Sequence, residues 1–264
     1  PVSRRRRVFV GPMAPFDRTE RPVERSFVDR QSVLRGETDP QNGDRIILFN
    51  AARYSMAIAL GIIGIGGLGY LQTEAYAEME DVRIVAGADI AQEAQDLFQR
   101  EFERPVYAEY DEMIRQHADE LDAVTIVTPH TLHYDQAMRC LQQDLHVLVE
   151  KPMVTELHHA HELISTANDR DLILQVGYQR RFDPVFREIR RLLMSGRIGA
   201  LHTVSCFIGQ DWIHNNRGTW RVDPALSGGG QLYDTGSHLI DALLWVTDGE
   251  PLSVTASVEF AEPG

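Results

Sequence analysis

Asp234 and His238 stand four residues apart in a segment with helical spacing, so an α-helix would put both on one face. A carboxylate beside an imidazole favours the imidazolium and holds the ring in one orientation. Such a pair suits a general base that takes a hydroxyl proton while hydride leaves the same carbon. Lys151 brings a complementary chemistry. It is the only lysine in the chain, and the other basic residues are all arginines. A lysine ammonium is a compact donor that can stabilise a developing alkoxide. Taken alone, Asp234 and His238 are better explained as a surface i,i+4 ion pair.

A third feature is the run Gly64-Ile65-Gly66-Gly67-Leu68-Gly69. It follows an apolar stretch, precedes a helical one, and has an acidic residue, Asp89, about twenty positions on, as dinucleotide-binding turns do. Gly64 permits the tight turn, Gly66 lets backbone approach a pyrophosphate, and Gly69 lets helix and strand pack closely. Amide groups at the helix start would meet the phosphate charge. Asp89 would accept bonds from ribose hydroxyls and repel a 2′-phosphate, so NAD is the expected cofactor and NADP the alternative. A helix cap is the competing role for Asp89.

These residues need a scaffold, and the chain between them alternates. Strands are expected at 57–63, 82–88, 106–107, 123–127, 145–149 and 172–176. Helices are expected at 70–79, 92–102, 111–117, 132–142 and 156–168. The pattern predicts an α/β fold with a doubly wound parallel sheet, whose ligands sit outside the C-terminal strand ends. The glycine turn, Asp89, Thr128-Pro129-His130 and Glu150-Lys151-Pro152 all fall there. Beyond Gly177 the expected elements are a helix at 184–194, a strand at 201–210, a loop at 212–224, a helix at 232–246 and a strand at 252–260. We therefore divide the chain into a Rossmann domain (56–177) and a partial α+β open-sheet domain (178–264). So few strands make the second domain incomplete, as in a C-terminally truncated chain.

Residues 1–55 differ in kind. They carry 11 arginines and 7 acidic residues, whereas the rest of the chain carries a net charge of −17. Arg4-Arg5-Arg6-Arg7 lacks the apolar stretch that a twin-arginine export signal needs. We read 1–55 as a disordered or non-native leader and Met56 as the natural start. The overall charge of −13 argues against nucleic-acid backbones as partners. No apolar run approaches membrane-spanning length. Cys140 and Cys206 read as core thiols of a cytoplasmic protein, and the histidines at 158, 159 and 161 lack the companions of a metal site.

Five stretches resemble the Gfo/Idh/MocA oxidoreductase family. They are the segment from Gly61 to Gly69, Thr128-Pro129 with His133, and Glu150-Lys151-Pro152. They continue with the segment from Val176 to Pro184, and that from Gly228 to Asp234 with Gly236, His238 and Asp241. The resemblance implies catalytic roles for Lys151, Asp234 and His238, and a cis Lys151–Pro152 bond. It implies cofactor contacts from Gly64, Gly66, Gly67, Leu68, Gly69, Asp89, Thr128, Pro129, His133 and Glu150. Tyr178, Arg181, Trp220 and Arg221 would border the substrate. The expected activity is an NAD(P)-dependent dehydrogenase acting on a secondary alcohol of a sugar, cyclitol or related polyol, in a homo-oligomer. Two alternatives stay open: an NAD-dependent glycoside hydrolase of the same fold, and a catalytically inactive dinucleotide-binding sensor.

Overall fold

Aliphatic runs form strands where both faces can be covered, and the stretch from 57 to 176 supplies six of them. The computed structural model describes residues 6–9 and 57–258 of the chain. The first strand in chain order, β1 (Arg6–Phe9), lies in a unit of its own described below. The larger unit runs from Met56 to Glu250. Its strands are β2 (Ile58–Ile63), β3 (Val82–Ala88), β4 (Val106–Tyr107), β5 (Ala123–Ile126), β6 (His146–Val149) and β7 (Leu174–Val176). All pairings are parallel, in the order β4-β3-β2-β5-β6-β7.

The connecting helices are α1 (Leu68–Ala77), α2 (Gln92–Phe102), α3 (Tyr110–His117), α4 (His133–Gln142) and α5 (Leu157–Asp169). Alternate residues of β2 feed the two sides of the sheet. Ile63 joins Met113 and Ile114 of α3, Leu141 of α4 and Leu163 of α5 in one apolar cluster. Ile62 joins Ile65, Ile84 and Phe98 of α2 in the other, with Tyr76 of α1 against it. The Asp122 carboxylate accepts the Ala59 N–H at 2.8 Å and ties β2 to the start of β5. The chain reverses its direction of sheet growth between β2 and β5, and that switch point opens the crevice where ligands bind in such sheets. Gly64 and Thr128 follow the two strands that flank it.

Beyond β7 the chain forms α6 (Pro184–Met194), the short helices α7 (Trp212–Asn215) and α8 (Pro224–Ser227), a π-helical turn over Leu232–Gly236, and α9 (Ser237–Thr247). Asp183 caps α6 by accepting the Val185 N–H at 2.8 Å, with Pro184 at the first helical position. The expected 212–224 loop thus contains α7, a 3₁₀ turn over Trp220–Val222 and the start of α8. The strand expected at 201–210 does not form. A strand exists through the ladder it makes, and among the described residues no neighbouring backbone pairs with this exposed stretch. Cys206 is accordingly exposed rather than a core thiol, whereas Cys140 is buried in α4.

In the other unit, β1 pairs antiparallel with β8 (Thr255–Val258), with Arg6 opposite Val258 and Phe9 opposite Thr255. Arg6–Phe9 therefore departs from the expectation of a disordered leader. The rest of that expectation, for residues 1–5 and 10–55, and the Met56 start lie outside the described residues.

Phe98 has no exposed surface and closes the smaller cluster against Gly87, where an added Cβ would stand 2.8 Å from its ring. Replacing it leaves a cavity that a sheet cannot collapse to fill. We expect Phe98→Ala to cost about 3–5 kcal/mol of stability, read as a lowered midpoint in urea denaturation.

Candidate active site

The site begins where β2 ends. Gly64 has φ 86°, and a Cβ on it would stand 2.8 Å from the Val127 carbonyl beyond β5. Gly69 is tighter: a Cβ there would meet the Gly64 carbonyl oxygen at 1.8 Å. Its role is packing of α1 onto the strand end, as the spacing predicts. Helix α1 starts with no side-chain cap and no acidic residue in its first turn. The positive end of that helix is left for an anion. Gly66, Gly67 and Leu68 line a cavity of about 840 Å³, and nothing stands within 4 Å of where a Gly67 Cβ would project. A dinucleotide pyrophosphate fits this cradle.

Asp89 lines the same cavity and is also structural. Its Oδ2 accepts the N–H groups of Ile65 at 3.0 Å and Gly66 at 3.2 Å, and its Oδ1 accepts that of Ala91 at 2.9 Å. The carboxylate therefore holds the glycine turn against the end of β3. Thr128, Pro129 and Glu150 also line the cavity. The Thr128 hydroxyl donates to Gln136 Oε1 at 2.5 Å. Glu150 accepts from Gln72 Nε2 at 2.7 Å and from the Lys151 N–H at 3.2 Å.

Lys151 lies two residues past β6 and is joined to Pro152 by a cis peptide bond. Its Nζ donates to Asp234 Oδ1 at 2.9 Å and to the Asp234 carbonyl at 3.0 Å. Asp234 Oδ2 accepts the Trp212 indole N–H at 2.9 Å, and the Arg221 Nε lies 3.5 Å away. The expected bond from Asp234 to the His238 ring is not made. Both Asp234 oxygens are taken instead by Lys151 and Trp212, and Leu232–Gly236 is π-helical rather than α-helical. His238 lines the cavity, with Nδ1 buried and lacking any hydrogen-bond partner among the described residues. Burial, then the charges of Lys151 and Arg180, pushes its pKa down to about 4. At neutral pH the ring is an uncharged base, not the imidazolium that the sequence suggested. Burial opposes charge on Asp234 too, but the bonds from Lys151 and Trp212 outweigh it and hold the carboxyl below its usual range.

Three of the other expected site residues are placed differently. His133 is fully buried, with Nδ1 2.8 Å from the Pro152 carbonyl and Nε2 2.9 Å from that of Thr128. It braces two loops and does not line the cavity, because both ring nitrogens point at backbone. Arg181 is committed to Asp241 through Nε at 3.1 Å from each carboxylate oxygen. Tyr178 lines a smaller neighbouring cavity of about 190 Å³, its ring edge-on to His238 at 6.2 Å. Trp220 and Arg221 do line the main cavity, with the guanidinium 4.5 Å over the indole.

Sequence reasoning missed Trp212, hidden in what reads as a loop, and gave no role to Gln179 or His130, which line the cavity. His130 was signalled by its place after Thr128-Pro129. It bonds the Ser227 carbonyl through Nδ1 at 2.9 Å and meets the Trp220 ring edge-on at 4.7 Å. Among the described residues no three His, Cys, Asp or Glu side chains gather as metal ligands.

His130 also has its pKa pushed down to about 4, first by burial, with the backbone bond to Ser227 opposing. Unfolded imidazoles take up protons below about pH 6.5, while this one resists until about pH 4. Stability is therefore lost as pH falls through that window. For His130 the loss is about 3 kcal/mol at most. Urea midpoints measured between pH 7 and 4 should fall in the native chain and fall less steeply in His130→Gln.

Comparison with known proteins agrees with this fold. A model of the Gfo/Idh/MocA oxidoreductases, described as an NAD-binding Rossmann fold, matches residues 58–178. A second, for the family's C-terminal domain, matches 186–264. Similar curated proteins include the rhizopine catabolism protein MocA of Rhizobium meliloti, 32% identical over 76% of this chain and 62% of that protein. Another is the NADP(+) scyllo-inositol 2-dehydrogenase of Bacillus subtilis (strain 168), 30% identical over 81% of this chain and 58% of that protein. Among solved structures, apo scyllo-inositol dehydrogenase from Lactobacillus casei aligns with a TM-score of 0.60 at 25% identity, covering 73% of this chain and 55% of that one. The chain thus spans about three-fifths of the length of these curated relatives. With a nucleotide-binding turn, a Lys–Asp pair and an imidazole at one cavity, and both domains matched, the chain belongs to the Gfo/Idh/MocA oxidoreductase family.

Proposed function

We propose that the chain is an NAD(P)-dependent dehydrogenase acting on a secondary alcohol of a sugar, cyclitol or related polyol. One observation carries the reading: Lys151 and an uncharged His238 line the same cavity as the glycine turn. A nicotinamide dinucleotide bound there supplies the hydride acceptor. Gly66, Gly67 and Leu68 would hold its pyrophosphate, and Asp89 its ribose hydroxyls. Thr128, Pro129 and Glu150 would border it. The relatives' names, which include inositol dehydrogenases, support the substrate class.

The chain's own residues divide the proton chemistry. The Lys151 ammonium has three N–H donors, and Asp234 takes two of them. The third is available to the substrate oxygen, where it stabilises the charge that grows as the proton leaves. The His238 imidazole, uncharged above about pH 4, accepts that proton. Asp234 keeps the ammonium in place and offsets its charge. Trp220 and Arg221 would border the substrate.

Exposed apolar side chains, among them Val185, Met194 and Phe207, support assembly as a homo-oligomer. No described helix is long and apolar enough to cross a membrane. The two free cysteines support placing the protein in the cytoplasm.

The test is nicotinamide absorbance on mixing the chain with NAD⁺ or NADP⁺ and a panel of cyclitols, aldoses and sugar alcohols. We expect reduction with at least one member, and a loss of roughly 10²–10³-fold in kcat for Lys151→Met. No reduction of either cofactor with any member would overturn the reading, and reduction that survives Lys151→Met would remove Lys151 from the chemistry.

A further inference from the structure

Asp234 is held by donors on both oxygens. One of them, the Trp212 indole N–H, is buried, and the tryptophan is 8% exposed. Trp212 does not line the main cavity, so it has no direct path to a ligand there. Its backbone is fixed by α7 and by the Asn216 side chain, whose Nδ2 donates to the Trp212 carbonyl at 2.7 Å. Its ring lies beside Gly230, which turns with φ 65° just ahead of the π-helical segment. The indole is therefore a fixed donor aimed at one carboxylate oxygen. With Oδ2 held by Trp212, the carboxylate plane is set and Oδ1 is presented to Lys151 Nζ at 2.9 Å. Arg221, 3.5 Å from Oδ2, is 32% exposed and on a long flexible stem, so it cannot set the plane by itself.

We infer that Trp212 is a positioning residue, which orients the Asp234 carboxylate and through it aims the Lys151 ammonium at the reacting oxygen. The inference rests on the dehydrogenase reading for its catalytic consequence, but the linkage itself can be measured without turnover. A hydrogen bond to a charged acceptor is stronger than one between neutral groups. Its loss frees the carboxylate to rotate and lets Lys151 Nζ follow it.

The sequence supplies an unusually clean probe. Because Lys151 is the only lysine, a chain labelled with ¹⁵N-lysine shows one side-chain Nζ resonance. Three full-length chains are compared: unsubstituted, Asp234→Asn and Trp212→Phe. We expect Trp212→Phe to move the Nζ resonance at least halfway to its position in Asp234→Asn. We also expect kcat to fall about tenfold with the KM for NAD unchanged, one hydrogen bond's worth of positioning. If the phenyl ring packs too poorly for the chain to fold, site-specific 3-benzothienylalanine at 212 keeps the shape of indole without its N–H. An Nζ resonance that stays in place overturns the inference and leaves Trp212 a packing residue. A moved resonance with unchanged kcat overturns it equally, since the linkage would not reach the chemistry. A moved resonance in a chain whose unsubstituted form reduces neither NAD⁺ nor NADP⁺ upholds the linkage and counts against the dehydrogenase reading instead.

Discussion

The organisation of the site depends on the ion pair between Lys151 and Asp234, whose side chains are only 11% and 13% exposed. Removing two charges from water is costly unless each meets the other in good geometry with further hydrogen bonds on the remaining atoms. Here those bonds are present: Nζ also meets the Asp234 carbonyl, and the second carboxylate oxygen meets Trp212. Removing the Asp234 carboxylate would leave Lys151 Nζ with only a backbone carbonyl. The pair therefore fixes the end of β6 to the π-helical turn 83 residues later, and it holds the lysine Nζ beside the cavity.

Around that pair the electrostatics of the two cavity imidazoles follow. Both His130 and His238 are partly enclosed and face the Lys151 charge, and both have their pKa pushed down to about 4. A chain with net charge −13 thus keeps uncharged bases and an ammonium together in one cavity. An uncharged imidazole is the form that accepts a proton. The cavity sits at the point where the sheet changes its direction of growth, so the glycine turn, Asp89, Thr128 and Lys151 reach it from strand ends that are neighbours in space and distant in sequence.

The Rossmann part was legible because its signals are local. Strand runs, helix periodicity and the glycine spacing each depend on a few neighbouring residues, and their bounds fall within a residue or two of the observed elements. Gly69 illustrates the strength of such a signal, since no side chain fits beside the Gly64 carbonyl. Past Gly177 legibility drops. The apolar alternation at 201–210 resembles a strand, yet a ladder depends on a partner that alternation does not specify. Trp212 sits among polar residues that read as a loop, and its bond to Asp234 joins positions 22 apart in sequence.

By itself the sequence determined the α/β alternation, the glycine turn, and the identity of the residues that reach the cavity: Lys151, His238, Asp89, Thr128, Glu150, Trp220 and Arg221. Lys151, Asp89, Thr128 and Glu150 sit at strand ends, whose placement follows from the fold class, whereas His238, Trp220 and Arg221 came from the family resemblance. Only the tertiary structure decided who pairs with whom. Spacing put Asp234 with His238, whereas the folded chain gives it to Lys151 and Trp212. It turns His133 inward onto two carbonyls and commits Arg181 to Asp241. A side chain's partner depends on which backbone approaches it and on how much water remains, and both are settled by packing between segments far apart in sequence.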